Sequence, residues 1–183
     1  MHPYICTECC GPMEGYPIFT INFNKLKCRI CGFIKSIERN KMTKYYVSVE
    51  DYLMGRDKIA PPTDEMISNY NTLIPKVNDL LDEYYKQNPY AETVSTSSGY
   101  RTPDVNANTP GASKTSWHMK CAAIDIRDRD KNFGNWCNNN IQELNNRGLY
   151  MESLETTHEG KNGLWCHLQI YPPKSGSNPF KVK

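Results

Sequence analysis

The chain has 183 residues, 38% of them hydrophobic, with 22 Lys and Arg against 20 Asp and Glu for a formal net charge of +2. That length suits one full domain plus a small appendage, and so small a charge argues against a general nucleic-acid binder. No apolar run reaches the roughly 18 residues of a membrane span, and the opening MHPYICTECC lacks the basic start and apolar stretch of a signal peptide.

The charge is uneven along the chain. Residues 1–45 hold seven Lys and Arg against three Asp and Glu, and residues 46–183 hold 15 against 17. The basic segment contains two CxxC pairs, Cys6 with Cys9 and Cys28 with Cys31. A CxxC turn aims two sulfurs at one point, and two such turns complete a tetrahedron, which is the pattern of a four-thiolate zinc site. Between the pairs, YPIFTINF alternates like a strand, and Gly11 and Gly32 follow the pairs where tight turns need positive φ. These features predict a zinc ribbon over 1–40, closed and therefore structural, with the metal supplying most of its folding energy. Two disulfides are the alternative use of the same cysteines. Cys10, Cys121, Cys137 and Cys166 show no framework spacing and are expected as reduced thiols.

A charged linker, 33–47, leads into YYVSVEDYLMGRD. From Thr63 the apolar residues recur at three and four: Met66, Ile67, Tyr70, Leu73, Ile74, Val77, Leu80, Leu81 and Tyr84. Thr63 is the expected N-cap, with Asp64 and Glu65 in the first turn. Pro75 predicts a kink, or two helices meeting there. TVSTSSGY (93–100) and CAAIDIR (121–127) read as strands. Residues 133–147 read as one helix stopped by Gly148, and LYMESL (149–154) and LWCHLQIY (164–171) as an antiparallel hairpin with a long polar loop. The sum is an α+β domain over 45–175, a small antiparallel sheet flanked by helices, followed by a short basic tail at 176–183.

Two strands carry polar residues on apolar backing. Asp125 opposes Ile124 and Ile126, and His167 shares a face with Trp165 and Gln169, away from Cys166, Leu168 and Ile170. With His118 seven positions before Asp125, these residues make a candidate His–Asp–His zinc site. Three protein ligands leave a fourth position for water, the catalytic form of such a site. On spacing alone the pattern is weak.

The stretch SSGYRTPDVNANTPGASKTSWHMKCAAIDI resembles the signature of zinc D-Ala-D-Ala metallopeptidases, the phage-encoded and cell-wall branch most closely. Ser98-Gly99-Tyr100-Arg101, Ser116-Trp117-His118, Ala123-Ile124-Asp125 and Trp165-Cys166-His167 follow that family's motifs in order and rough separation. The likeness spans roughly residues 45–172 and leaves out the N-terminal ribbon. It implies the hedgehog-type zinc fold, zinc ligands His118, Asp125 and His167, and Arg101 as the group that anchors a substrate carboxylate or polarises the scissile carbonyl. A planar guanidinium fork suits that task. The resemblance also implies Ser116 beside the metal, orienting a ligand or binding substrate, and Tyr100 as a wall of the substrate pocket. The chain departs from the family at the general base. Where several members carry a glutamate three residues before the last histidine, this chain has Leu164, and where another branch carries a histidine five residues before, it has Asn162. Glu152, Glu155, His158 and Glu159 are the candidates, with Glu152 favoured because its strand neighbours that of His167.

The expected function is therefore zinc-dependent hydrolysis of peptidoglycan stem or cross-bridge peptides containing D-amino acids. One zinc is catalytic and one structural. The expected setting is a phage lysis enzyme or virion component, monomeric, made in the host cytoplasm and acting on the wall. The alternative is a catalytically inactive zinc module that binds cell wall or protein, as hedgehog domains share the fold. A nucleic-acid role for the ribbon is not favoured, since no basic patch interleaved with aromatics is present.

Overall fold

The computed structural model describes residues 13–15, 25–28, 34–36, 44–157 and 164–173. The chain divides into two units, Met1–Lys41 and Met42–Lys183. In the first, the backbone forms three short antiparallel strands, β1 (Met13–Gly15), β2 (Lys25–Cys28) and β3 (Ile34–Ser36), in that order across the sheet. The strand expected in YPIFTINF lies outside the described residues, as do Cys6, Cys9 and Cys31 and the tail 176–183.

The second unit begins with α1 (Val49–Leu53), whose Ser48 side chain accepts from Asp51 N, and continues into the long helix α2 (Asp64–Gln87). Thr63 caps α2 as expected, its hydroxyl accepting from Met66 N at 3.4 Å. The helix turns Leu73, Val77, Leu80, Leu81 and Tyr84 into the core. Neither a junction nor a second helix appears at Pro75, which lies inside one continuous helix. The reason is exposure: Pro75 and Asn71 are both on the outer face. The carbonyl that loses its N–H partner there can bond water, and the buried stripe on either side holds the helix through the defect.

Four strands make the second sheet: β4 (Ser95–Ser98), β5 (Ala123–Arg127), β6 (Tyr150–Met151) and β7 (Trp165–Gln169). Their order is β4-β5-β7-β6 and every pair is antiparallel. The short helix α3 (Pro103–Ala107) falls between β4 and β5. The expected β6–β7 hairpin is present. Its connection carries a further helical turn, Leu154–Thr157, that the polar composition did not announce.

The single helix expected over 133–147 is two, α4 (Asn132–Asn139) and α5 (Ile141–Arg147). They part at Asn140, where φ −118 and ψ 46 leave the helical region. Asn140 closes α4 twice over, its backbone N–H and its side-chain amide both donating to Trp136 O, at 2.9 and 2.8 Å. Asparagine competes for helix carbonyls in this way, and the run Asn138–Asn140 is poor in helix formers. Gly148 ends α5 at φ 60, as its position predicts.

One core joins the layers. Leu73, Val77, Leu80 and Tyr84 of α2 meet Ile124, Ile126, Cys166 and Leu168 of the sheet, and Phe133, Cys137 and Leu144 of α4 and α5. Each large aliphatic or aromatic side chain removed from water here contributes about 1.5–3 kcal/mol. Tyr84 meets Phe133 edge-on with centroids 5.1 Å apart. The result is the α+β architecture, a small antiparallel sheet covered by helices. No helix among the described residues is long and apolar enough to cross a membrane.

Candidate metal centre

The sheet register builds the site. On the central strand β5, Ile124 and Ile126 enter the core, so Asp125 must point to the opposite face. Antiparallel pairing places Asp125 directly opposite His167 of β7 and beside Ser98 of β4. His118 arrives from a 3-10 turn, Trp117–Lys120, just ahead of β5. Ser116 caps that turn, its hydroxyl accepting from His118 N at 3.3 Å. Cys121 ends it in the left-handed region at φ 54.

Each ring is oriented by its outer nitrogen. His118 Nδ1 lies 2.7 Å from Gly99 O. A carbonyl can only accept, so Nδ1 carries the proton and Nε2 presents its lone pair inward. Gly99 is needed for this: a Cβ there would stand 2.0 Å from Tyr52 O. His167 lies with Nδ1 2.7 Å from Asp125 Oδ1 and Nε2 3.0 Å from Gln169 Oε1. The two imidazoles meet at 5.1 Å between centroids, tilted by 65°.

His118, Asp125 and His167 are all buried, and each offers one ligand atom within 4.8 Å of the others. His118 Nε2 is 3.3 Å from Asp125 Oδ2 yet makes no hydrogen bond, a buried nitrogen left without a partner. An orphaned imidazole nitrogen facing a buried carboxylate and a second imidazole fits a bound metal ion. Two histidines and a carboxylate are the donors that zinc takes.

The electrostatics agree with a site built around the carboxylate. Burial opposes charge on Asp125, but His118 and His167 outweigh it and hold the carboxyl well below the usual carboxylate range. Burial pushes His118 down, against the pull of Asp125. Burial also acts downward on His167, but the hydrogen bond and charge of Asp125, with help from Glu152, carry it above the ordinary value.

The other expected residues fall as follows. Arg101 donates from Nε to Ser98 Oγ at 2.8 Å and from one Nη to Asp125 Oδ2 at 2.7 Å. Tyr100, expected as a pocket wall, is 2% exposed and donates its hydroxyl to Ala60 O, so it holds up the turn on which Arg101 sits. Arg56 donates to Tyr100 O from outside; burial and then the charge of Arg101 push its pKa down. Glu152 follows β6, and its backbone N–H donates to His167 O at 3.3 Å. Glu155 lies in the turn after it, exposed. His158 and Glu159 lie outside the described residues. Leu164 heads β7 with its carbonyl accepting from Asp128 N. Sequence reading gave no role to Ser98, to the Gly99 carbonyl or to Gln169. Only the last had a signal, its place two residues past His167 on the same strand face.

The sequence model of the Peptidase M15 family matches residues 53–158, more than half of the chain. The match takes in Arg101, Ser116, His118 and Asp125 and stops short of His167, which the sheet register brings to them. Comparison with curated proteins and with solved structures gave no match. M15 peptidases are zinc-dependent, and the buried His118–Asp125–His167 group could hold that ion. This chain belongs to the Peptidase M15 family.

Proposed function

We propose that this chain is a zinc peptidase that cleaves peptidoglycan stem or cross-bridge peptides containing D-amino acids, in the lysis or wall penetration of a bacteriophage. One observation carries the catalytic part: three buried zinc-type donors converge, and one of them, His118 Nε2, makes no hydrogen bond. Family membership and the SGYR–SWH–AID–WCH order support the substrate class. When bound, zinc supplies Lewis acidity and acidifies a water molecule to a pKa of about 7.

The protein's own groups supply the rest. Glu152 is the proposed general base. Its backbone is bonded to that of His167, and its charge already favours protonation of that ring. A carboxylate there can take a proton from the attacking water and pass it to the leaving amine. Arg101 spends one N–H on Ser98 and one on Asp125, and its other Nη makes no hydrogen bond to a described residue. That nitrogen can meet a substrate carboxylate or the developing oxyanion. Ser116 keeps the His118 turn in place. The proposal extends to a structural zinc on Cys6, Cys9, Cys28 and Cys31, giving two ions per chain.

Digestion of purified peptidoglycan, read by mass spectrometry, tests the activity and names the bond. New stem or cross-bridge fragments, lost on zinc removal and restored by zinc, are expected. Intact peptidoglycan with zinc bound would instead support a binding module. Glu152→Gln should lower turnover by about 10²–10⁴-fold with the metal retained; unchanged turnover moves the base to Glu155, His158 or Glu159. Metal analysis should return two zincs in the wild type and one in His118→Ala.

A further inference from the structure

Gln169 is 3% exposed and lies two residues beyond His167 on the same strand face. Its side-chain oxygen is 3.0 Å from His167 Nε2, and its amide nitrogen donates to Tyr171 O at 2.6 Å. The second contact decides the first. A backbone carbonyl only accepts, so the amide nitrogen must face Tyr171 and the oxygen must face the ring. An amide oxygen also only accepts, so His167 Nε2 carries the proton. With Nε2–H committed to Gln169, Nδ1 is the atom left to give a lone pair to a metal beside Asp125; without the metal, Asp125 Oδ1 at 2.7 Å only accepts too and calls for a proton on Nδ1 as well.

Tyr171 is itself fixed. Its ring stacks on Trp117 with centroids 4.6 Å apart, and its hydroxyl donates to Asn69 Oδ1 at 3.1 Å. Asn69, buried on α2, donates onward to Lys120 O at 2.9 Å. Trp117 and Lys120 are the first and last residues of the turn that carries His118. A single run of hydrogen bonds therefore joins the ring of His167 to the turn bearing the other histidine. Asn69 also accounts for a polar residue inside the apolar stripe of α2.

We infer that Gln169 is a positioning residue: its amide oxygen selects Nδ1 of His167 as the metal-binding atom, and Tyr171 and Asn69 hold the amide in the selecting orientation. This rests on the reading of His118, Asp125 and His167 as a metal centre. Partners behind a metal-binding histidine fix its tautomer, and their loss typically costs 10–100-fold in metal affinity.

The test uses the full-length protein, zinc alone as the probe, and two readouts besides activity. Long-range ¹H–¹⁵N correlation spectra give the protonated nitrogen of His167, and chelator competition gives the zinc affinity. In the zinc-loaded wild type, Nε2 should carry the proton and Nδ1 none. Gln169→Leu should mix the tautomers and weaken zinc by about 10–100-fold. Gln169→Glu, which keeps an acceptor, should retain the Nε2–H signature. Zinc on Nε2 in the wild type overturns the inference without recourse to any variant. So do Leu and wild-type proteins that agree in tautomer and affinity, or a Glu variant that loses the signature as fully as Leu does. A wild type that takes up no zinc on these histidines removes the metal-centre reading itself, and the inference with it.

Discussion

Asp125 answers to three neighbours at once. Arg101 and His167 each approach one of its oxygens to 2.7 Å, and His118 stands 3.3 Å from the oxygen that Arg101 uses. A buried carboxylate needs such company, since an isolated one would cost many kcal/mol. Asp125→Asn keeps the size and removes the charge, leaving Arg101, 12% exposed, without its counter-ion. The metal-free protein should lose about 3–5 kcal/mol of stability to urea, the cost of breaking a buried pair from one side. It should also fail to retain a zinc ion at the site. Gly99 is a second single-atom constraint. Adding a methyl group at Gly99 would bring its Cβ to 2.0 Å from Tyr52 O, which is backbone and cannot swing aside. Gly99→Ala should therefore cost about 1–3 kcal/mol through displaced backbone. It should weaken zinc as well, because the carbonyl that orients His118 moves with it. A drop in stability at unaltered zinc affinity would show that the turn can shift without carrying its carbonyl along.

At the scale of elements, a strand holding a ligand has to satisfy two demands, a core face and a site face, and period-2 alternation meets both. That is why β5 and β7 were legible: Ile124 and Ile126 against Asp125, Cys166 and Leu168 against His167. The pairing of Asp125 with His167 was not, because register depends on contacts far apart in the chain. Gln169 showed its place on the His167 face but not its orientation, which is set by the backbone of the turn that follows its own strand. Helix boundaries failed where a local rule met its surroundings. Two helices meeting at Pro75 was one of the two expectations there because the rule sees the missing N–H and not the solvent beside it, while Asn140 breaks a helix with neither proline nor glycine to mark it. Pro75 sits on the exposed face of α2. If its ring is merely tolerated on the wet face, Pro75→Ala restores a helix hydrogen bond and should stabilise the unit by about 1–3 kcal/mol in urea unfolding. A loss of stability would mean that α2 depends on the local geometry proline imposes.

In the unit Met42–Lys183 the strands that carry Asp125 and His167 also line the core, and its thiols can report whether site and core open together. Cys121, Cys137 and Cys166 are fully buried, free, and spread over the end of the His118 turn, α4 and β7. Burial pushes the Cys121 thiol up to about 12 and that of Cys137 well above its usual range. The thiolate is the form that alkylates, so native thiols should resist a soluble reagent near pH 8 until the unit opens. A metal that binds only the folded unit lowers the open population by the factor 1 + [metal]/Kd, about 100-fold at 100 times Kd, or about 2.7 kcal/mol. Labelling read peptide by peptide should then slow at Cys137 and Cys166 by that one factor when zinc is added, and Cys121 should follow if the His118 turn opens with the core. In His118→Ala the same zinc should change none of the three rates. Slowing confined to Cys121 would mean that the turn opens on its own, with the metal holding a local latch while the core stays closed without it.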